Sequence, residues 1–362
     1  MKRRDFIKSA GAGGAVAATT LAAPAIAKER IEMVMVTTWP RDFPGLGTGA
    51  QRLAKNLELM SGGRIHVEYF AAGERVKAFD SFDEVASGNA QAYHAADYYW
   101  KGKHKAFAFF GSVPFGLTVN EANTWIDWGG GQELWDEHGA EFGVKCFKAG
   151  NNGVQMGGWF RKEINSADDF KGLKMRIPGM GGDVLAKMGA SPVSLPGSQI
   201  YENLVSGAID ATEWVGPWND SFMKFYEAAK YYYWPGFHEP GTMESFGLNK
   251  AWWDKLSKSD QKMIEAAAAL ENQLLYSEYC WNNGSSMKKL LDEHGVQLRE
   301  FSDDIFDAAG EATAEVFEEY RADGGLTARV LDSMLASRKS VGSWMNTSEV
   351  PFIAQRNRVL GL

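Results

Sequence analysis

The stretch that decides the fold runs from Asp168 to Gly179 and reads DDFKGLKMRIPG, a polar turn followed by a strand that ends in proline and glycine. Lys174 and Arg176 alternate with apolar residues in this strand, so both point to the same face. Open α/β sheets bind ligands beyond the carboxyl ends of their strands, and a guanidinium there offers a planar fork that matches a carboxylate. Arg176 is therefore a candidate anion-binding residue, although composition alone favours an ordinary surface arginine.

Hydrophobic periodicity on both sides of this stretch predicts an α/β protein with two lobes. A strand over 31–38, a helix over 49–60 and a strand over 64–70 form a βαβ opening, and a second series of strands starts at 154. Long amphipathic helices over 259–279, 303–321 and 327–344 follow, which indicates several crossings between the lobes. We expect three folded segments: a first lobe over 28–152 with parts of 243–290, a second lobe over 153–242 with the C-terminal helices, and an amphipathic C-terminal helix over 347–362.

The first 27 residues have the pattern of an export signal. Residues 9–27 carry no charge, follow a basic start and end in Ala25-Ile26-Ala27, which a signal peptidase accepts. A membrane anchor is the alternative, but glycines, threonines and a proline make this run weakly apolar. Arg3-Arg4-Asp5-Phe6-Ile7-Lys8 resembles the twin-arginine signal. We expect cleavage after about Ala27 and a mature protein in the periplasm.

Charge and cysteine content exclude several classes of protein. Acidic residues outnumber basic ones by 46 to 38, and the basic excess is confined to the first ten residues. Phosphate neutralisation needs clustered positive charge, so we expect no nucleic-acid partner. Cys146 and Cys280 are compatible with a disulfide in an oxidising compartment, but two independent buried thiols are the favoured interpretation.

Motifs of common enzymes are missing from the sequence, with one exception. No G-x-S-x-G segment occurs, and the six histidines never form H-E-x-x-H. The segment Gly45-Leu46-Gly47-Thr48-Gly49-Ala50 fits a dinucleotide-binding loop, with Glu68 at a suitable distance for a ribose hydroxyl. The six residues before it, 39–44, are too many and too proline-rich for the tight turn that such a loop requires. A glycine-containing helix start that faces the cleft is the preferred interpretation.

A second motif, residues 200–220, reads IYENLVSGAIDATEWVGPWND. It is similar to the helix, turn and strand found in the substrate-binding proteins of TRAP transporters, the tripartite ATP-independent periplasmic systems of the DctP type. The DFKGLKMRIPG run is the other hallmark of that family. The resemblance extends over essentially the whole mature chain.

This resemblance implies a two-lobed, type II-like periplasmic binding protein with a ligand cleft between the lobes and long helices that span both. Such a receptor binds a small carboxylate and delivers it to membrane permease subunits, and it performs no catalysis. Arg176 occupies the position of the family's carboxylate-binding arginine. The sequence Thr212-Glu213-Trp214 departs from the usual Glu-Asn-Pro. This segment resembles the corresponding sequence in the branch of the family that binds 2-oxo or 2-hydroxy monocarboxylates, such as pyruvate or lactate, together with a metal cation.

The same branch implies a set of site residues. The cation ligands correspond to Gln155, Glu213, the Trp214 carbonyl and Glu239. Oxygen donors of this kind suit Na⁺ or Ca²⁺ and do not suit zinc, and the choice between Na⁺ and Ca²⁺ stays open. Aromatic residues on both lobes complete the expected pocket. The predicted substrate-binding residues are Arg176, Gln155, Trp214, Tyr98, Tyr99 and Asn219, with Trp218 as a second aromatic wall and Asp220 beside the cation.

Three further interpretations remain open at this stage. The receptor could bind an aromatic, sugar or dicarboxylic acid, as other branches of the family do. The Gly45–Ala50 loop could belong to an exported nicotinamide-dependent oxidoreductase. The amphipathic C-terminal tail, together with the resemblance, predicts a homodimer with exchanged terminal helices.

Overall fold

Two β-sheets organise residues 30–362, the part of the chain that the computed structural model describes. The predicted signal segment lies outside the described residues. The strands are β1 (Ile31–Thr37), β2 (Ile65–Phe70), β3 (Ala92–Ala95), β4 (Val144–Asn151), β5 (Gly158–Phe160), β6 (Lys174–Arg176), β7 (Ser191–Val193), β8 (Ala211–Thr212), β9 (Tyr231–Trp234), β10 (Met243–Asn249) and β11 (Gln297–Glu300). The helices are α1 (Leu46–Met60), α2 (Ser81–Ala86), α3 (Val119–Trp128), α4 (Gly131–Glu141), α5 (Gly179–Lys187), α6 (Gly197–Ser206), α7 (Pro217–Phe222), α8 (Lys250–Trp253), α9 (Lys258–Asp292), α10 (Asp303–Ala322), α11 (Gly325–Met345) and α12 (Glu349–Leu360).

The first sheet has the strand order β2-β1-β3-β10-β4. Strand β1 is parallel to β2 and β3, whereas β10 runs antiparallel to both of its neighbours. The sheet is therefore mostly parallel, with one reversed strand that arrives from the second half of the chain. The βαβ opening forms because β1 and β2 alternate buried and exposed side chains while α1 buries one face.

The second sheet has the order β11-β9-β5-β8-β6-β7. Its β6 strand, which carries Arg176, lies parallel to both β7 and β8. Strands β5 and β8 are shorter than the sequence predicts. Residues 155–157 and 213–215 leave the ladder, and Met156 N instead donates to the Val215 carbonyl at 3.2 Å. These two irregular segments are free to bring polar groups into the space between the sheets.

The chain crosses between the sheets three times: helices α8 and α9 connect β10 to β11, and the other two crossing segments are connected to each other. It passes from the first sheet to the second between β4 and β5, at residues 152–157, and returns between β9 and β10, at residues 235–242. A backbone hydrogen bond from Gln155 N to the Glu239 carbonyl, 3.0 Å long, joins the two crossing segments. The side chains of these segments therefore lie next to each other at the boundary of the two sheets.

Helix α9 spans both sheets, as the sequence predicts, but it is longer than expected. Its 35 residues extend roughly 50 Å, and it packs against α1, β4 and α7. The Ser257 hydroxyl caps its first turn by accepting from Asp260 N. The prediction ended the helix near residue 279 because the run from Asn282 to Ser286 has weak helix propensity. Burial of Leu290 against the second sheet's helices and loops overrides that propensity.

The cysteine prediction is half wrong. Cys146 and Cys280 are both free thiols, and Cys146 is buried in β4, but Cys280 is exposed. Helix α9 turns Cys280 toward solvent, which the spacing of apolar residues along so long a helix did not show. Within residues 30–362, no helix combines the length and the apolar character that a bilayer span requires.

Candidate functional site

A small cavity lies between the two sheets, next to the crossing segments. It is lined by Trp39, Leu46, Tyr98, Tyr99, Asn152, Gln155, Arg176, Trp214, Val215 and Glu244. Larger grooves occur on the surface, for example between α3 and the end of α11. The small cavity is the better candidate site because its wall carries buried polar atoms without hydrogen-bond partners, and such atoms are costly unless a ligand or water satisfies them.

Arg176 projects from the carboxyl end of β6 and is only 1% exposed. Its Nε donates to the Leu195 carbonyl at 3.1 Å, and its Nη1 donates to the Glu213 carbonyl at 3.2 Å and pairs with the Glu213 carboxylate. The guanidinium lies 5.1 Å from the centre of the Trp214 ring. Nη2 is buried and has no hydrogen-bond partner among the described residues. One edge of a rigidly held guanidinium is therefore open to an anion in the cavity.

The Arg176 guanidinium forms one pole of the site, and a group of oxygen atoms forms the other. Gln155 Nε2 donates to Glu239 Oε2 at 2.7 Å and to Thr242 Oγ1 at 3.1 Å, which fixes the amide group. The amide oxygen of Gln155 and the Oε2 of Glu213 are buried and have no hydrogen-bond partner in residues 30–362. Unpartnered oxygen acceptors of this kind match the ligands of a hard cation such as Na⁺ or Ca²⁺.

His238 is a neighbour of this pole that sequence reasoning missed. Glu213, His238 and Glu239 each offer one atom within 4.8 Å of the others, and His238 Nε2 lies 3.5 Å from Glu213 Oε2. The available signal was its position directly before Glu239 in the sequence. The six histidines form no zinc motif, so the sequence alone assigns none of them a role.

Electrostatics at this pole favour a cation. Burial, followed by the nearby Glu213 carboxylate, raises the pKa of Glu239 from its ordinary value to about 7. Two carboxylates share this space, and Arg176 pairs with only one of them. A bound cation would relieve the excess negative charge, so the residues present fit a hard metal ion.

The predicted aromatic residues divide into two groups. Tyr98 and Tyr99 line the cavity, and Tyr98 donates to Glu239 Oε2 over 3.5 Å. Burial raises the pKa of both hydroxyls, so each remains a neutral donor. Trp214 also lines the cavity. Trp218 does not; its ring packs against the Tyr279 ring, with 5.3 Å between the ring centres.

Asn219 lies outside the cavity lining, unlike the other predicted substrate-binding residues. Its Nδ2 donates to the Pro44 carbonyl at 2.8 Å, and its Oδ1 accepts from the Tyr279 hydroxyl at 2.6 Å. Both ends of the amide are therefore used by the protein. Asn219 joins α7 of the second sheet to the loop after β1 and to α9, so its position fits a contact that holds the two sheets together.

Comparison with known proteins identifies the family. A family model described as "Bacterial extracellular solute-binding protein, family 7" (DctP) matches residues 35–323. The chain belongs to this family. The predicted resemblance to TRAP solute receptors and the predicted two-lobed α/β fold are both confirmed by the match and by the solved structures below.

Three proteins similar to this family 7 chain have known ligands. The chain is 37% identical over 358 residues, 97% of this chain and 98% of the relative, to a monocarboxylate 2-oxoacid-binding periplasmic protein of Nostoc sp.. A TRAP periplasmic solute-binding protein of Pseudoalteromonas atlantica, solved with sodium and pyruvate, has a TM-score of 0.88 at 39% identity and covers 90% of this chain and 99% of that chain. A Colwellia psychrerythraea protein with calcium and pyruvate has a TM-score of 0.88 at 38% identity, with 90% and 100% coverage.

The glycine-rich loop does not form a nucleotide site in this family 7 fold. Gly45 precedes α1 with a φ of +72°, and a Cβ placed there would lie 2.6 Å from the Tyr279 hydroxyl oxygen. Tyr279 therefore covers the helix start and leaves no room for a pyrophosphate. Leu46, the next residue, contributes to the cavity wall instead.

Asp97 supports the turn that carries Tyr98 and Tyr99. It accepts from the Tyr93 hydroxyl at 3.0 Å and from Trp135 Nε1 at 2.9 Å, both deep in the core. Burial raises the pKa of this carboxyl to about 7. The folded protein thus retains a proton at pH values where the unfolded chain has released it.

We expect Asp97→Asn to change the pH dependence of stability. For the wild type, the folded state binds more protons than the unfolded state between about pH 4 and 7, so this group's contribution to stability is lost as pH rises. The variant lacks that loss. Its unfolding free energy relative to the wild type should therefore increase, by up to about 4 kcal/mol, between about pH 4.5 and 7.5. Urea unfolding of the ligand-free proteins measures this, and a constant difference across that range would contradict it.

Proposed function

We propose that this family 7 protein is the receptor of a TRAP transporter that binds a small 2-oxo monocarboxylate such as pyruvate, or a 2-hydroxy acid such as lactate, together with Na⁺ or Ca²⁺. The observation that carries the proposal is a set of buried, unpartnered polar atoms, two of them on residues that line the cavity and one on Glu213, which pairs with Arg176 beside it. Arg176 Nη2 is an open donor, and Gln155 Oε1 and Glu213 Oε2 are open acceptors. The receptor delivers its ligand to the membrane permease and performs no reaction on it.

The two poles have complementary tasks in ligand binding. Arg176 holds the ligand carboxylate, since burying an unpaired carboxylate would be costly. Gln155, Glu213, Glu239 and the Trp214 carbonyl would hold the cation, which supplies a positive charge to the ligand's carboxylate and adjacent oxygen. The small size of the cavity favours a ligand of few heavy atoms.

Charge balance distinguishes the two cations. The carboxylates of Glu213, Glu239 and the ligand together exceed the positive charge of Arg176 by two. Ca²⁺ would balance that excess, whereas Na⁺ would leave one negative charge that a proton on Glu239 can neutralise. Of the two relatives described above, one was solved with sodium and the other with calcium.

We also propose a division of the chain into two lobes and a route of export. We assign residues 28–152, with parts of 243–290, to one lobe and residues 153–242, with C-terminal helices, to the other. The membership of the two sheets supports this division. Export through a signal cleaved after about Ala27 places the receptor in the periplasm, where the family's extracellular solute-binding role is exercised.

A thermal-shift panel tests the proposed function. Pyruvate, longer 2-oxo acids and lactate, each with Na⁺ or Ca²⁺, should raise the melting temperature of the ligand-stripped protein. A ligand at about 100 times its dissociation constant adds about 2.7 kcal/mol. Stabilisation only by aromatic, sugar or dicarboxylic acids would contradict the ligand class, and a nicotinamide cofactor in a denatured extract would contradict the receptor role.

We also propose that the receptor forms a homodimer through exchange of residues 347–362. None of the side chains of α12 is buried, although several are apolar. The exposed apolar residues near the C-terminus are Trp344, Val350, Phe352, Ile353, Val359, Leu360 and Leu362. A patch of this kind is a typical interface.

Deletion of residues 347–362 is expected to produce a monomer. The full mature chain should have the mass of two protomers at micromolar concentration in light scattering, and the truncated chain the mass of one. Ligand affinity should remain, because α12 contributes no residue to the cavity lining. A monomeric full-length protein would contradict the proposed dimer.

A further inference from the structure

Glu244 is a cavity residue for which neither the sequence motifs nor the cation site accounts. It lies on β10, its side chain is 1% exposed, and it forms part of the cavity wall. Both carboxyl oxygens are buried and have no hydrogen-bond partner among the described residues. The stem is held in place because Gly150 on the adjacent strand β4 leaves only enough space for it: a Cβ at Gly150 would lie 3.0 Å from the Glu244 Cβ and Cγ.

An unsatisfied buried carboxyl is a poor choice for stability alone. An apolar side chain of similar volume would fill the same space without the cost of removing a polar group from water. Burial, followed by the nearby carboxyls of Glu239 and Asp97, raises the pKa of Glu244 well above its ordinary value. This shift favours the protonated carboxyl, which can both donate and accept a hydrogen bond.

Glu244 and Arg176 reach the cavity from different sheets. Arg176, Trp214 and Val215 reach the cavity from the second sheet and the loop that follows its β8 strand, whereas Glu244 and Tyr99 reach it from the first sheet's side. A short ligand whose carboxylate is held by Arg176 directs its other end toward the first sheet. Glu244 is the cavity carboxyl on that side.

We propose that Glu244 is a specificity residue that hydrogen-bonds a polar group on the ligand carbon farthest from the carboxylate. This inference rests on the proposed function and ranks its substrates: 2-oxo or 2-hydroxy acids with a hydroxyl group at carbon 3 bind more tightly than acids with a methyl group at the same place. A site built to hydrogen-bond a hydroxyl discriminates against the analogue that lacks it, because the buried protein group is then left unpaired.

Hydroxypyruvate and 2-oxobutyrate test the proposal, since they differ by a terminal hydroxyl in place of a methyl group. With the cation present, calorimetry on the wild type should give at least about tenfold tighter binding of hydroxypyruvate. Glu244→Met, which has a similar volume, should remove or reverse this preference. Glu244→Gln should retain part of it because the amide still donates and accepts.

The ratio of the two affinities is the readout, because a merely structural effect would weaken both ligands alike. Glu271→Gln is the matched control. Glu271 is also a buried carboxyl, but it pairs with Arg52 at 2.7 Å and does not line the cavity. The ratio of the two ligand affinities in this variant should therefore equal that of the wild type. An unchanged ratio in both Glu244 variants, or a wild type without preference, would overturn the inference while leaving the receptor intact. Failure of every 2-oxo acid to bind the wild type would instead overturn the proposed function.

Discussion

Arg176→Ala is expected to lower the affinity for a 2-oxo monocarboxylate by roughly 30-fold or more, since truncating one partner of a buried charged pair costs about 2–5 kcal/mol. The buried ligand carboxylate would lose its direct guanidinium partner. The substitution also leaves the Glu213 carboxylate without its ion pair, so the ligand-free protein should be less stable as well. Isothermal titration calorimetry with pyruvate and excess cation measures the affinity, and urea unfolding measures the stability.

Two companion variants separate the site effect from a general one. Lys174→Ala removes a positive charge from the same strand, but Lys174 is exposed and does not line the cavity, so its affinity should equal that of the wild type. Arg176→Lys retains the charge but lacks the planar guanidinium. That group donates to the Leu195 and Glu213 carbonyls and still has a free N–H edge for the ligand. The variant should bind more weakly than the wild type. Full affinity in a folded Arg176→Ala protein would refute the assignment.

Removal of the cation should weaken ligand binding by roughly 100-fold or more. A pair of opposite unit charges near 4 Å interacts by about 4 kcal/mol at an effective dielectric constant of about 20, and part of this is offset by dehydration of the ion. Without the ion, a ligand carboxylate must enter a cavity beside Glu213 and Glu239 with Arg176 as its only positive partner. Calorimetry in chelator with a potassium or organic-cation buffer, followed by addition of Na⁺ or Ca²⁺, measures the effect.

Glu239→Gln provides the control for this second prediction. The amide keeps an oxygen in place but removes one negative charge. Ligand affinity in the variant should therefore depend less on the cation, and the preference for Na⁺ over Ca²⁺ should be stronger than in the wild type. Equal affinity with and without cation in the wild type would show that the ligand carboxylate is held by Arg176 alone. The receptor assignment would survive that result, whereas the metal site would not.

Much of the site was accessible from the sequence because its residues belong to two short motifs. Arg176 follows from the strand that ends at Pro178, and Glu213 and Trp214 follow from the turn after Asp210. In the structure, Arg176, Trp214 and Gln155 line one cavity, while Glu213 contacts Arg176 and Glu239 contacts Gln155. Asn219 was assigned to the substrate because it is close to Trp214 in sequence, yet helix α7 turns its amide toward Pro44 and Tyr279.

Other residues at or near the cavity had no motif to identify them. They are Trp39 in the loop after β1, Asn152 and His238 in the two crossing segments, and Glu244 on β10. Each is an ordinary residue in its local sequence. All four are buried, and His238 and Glu244 also carry unpartnered atoms. Burial and missing partners are properties of the folded protein and have no periodic signature.

The sequence by itself determined the family, the α/β class with its βαβ opening, the long helices and the arginine at the end of β6, because these depend on local periodicity and on contiguous motifs. Only the tertiary structure decided which polar groups face one another. Strand β10 inserts between β3 and β4 after nearly one hundred intervening residues, and this insertion carries Glu244 to the cavity that Arg176 reaches from the other sheet. Such a pairing depends on non-local sheet order and on burial of the side chains, and neither quantity is encoded within any single stretch of the chain.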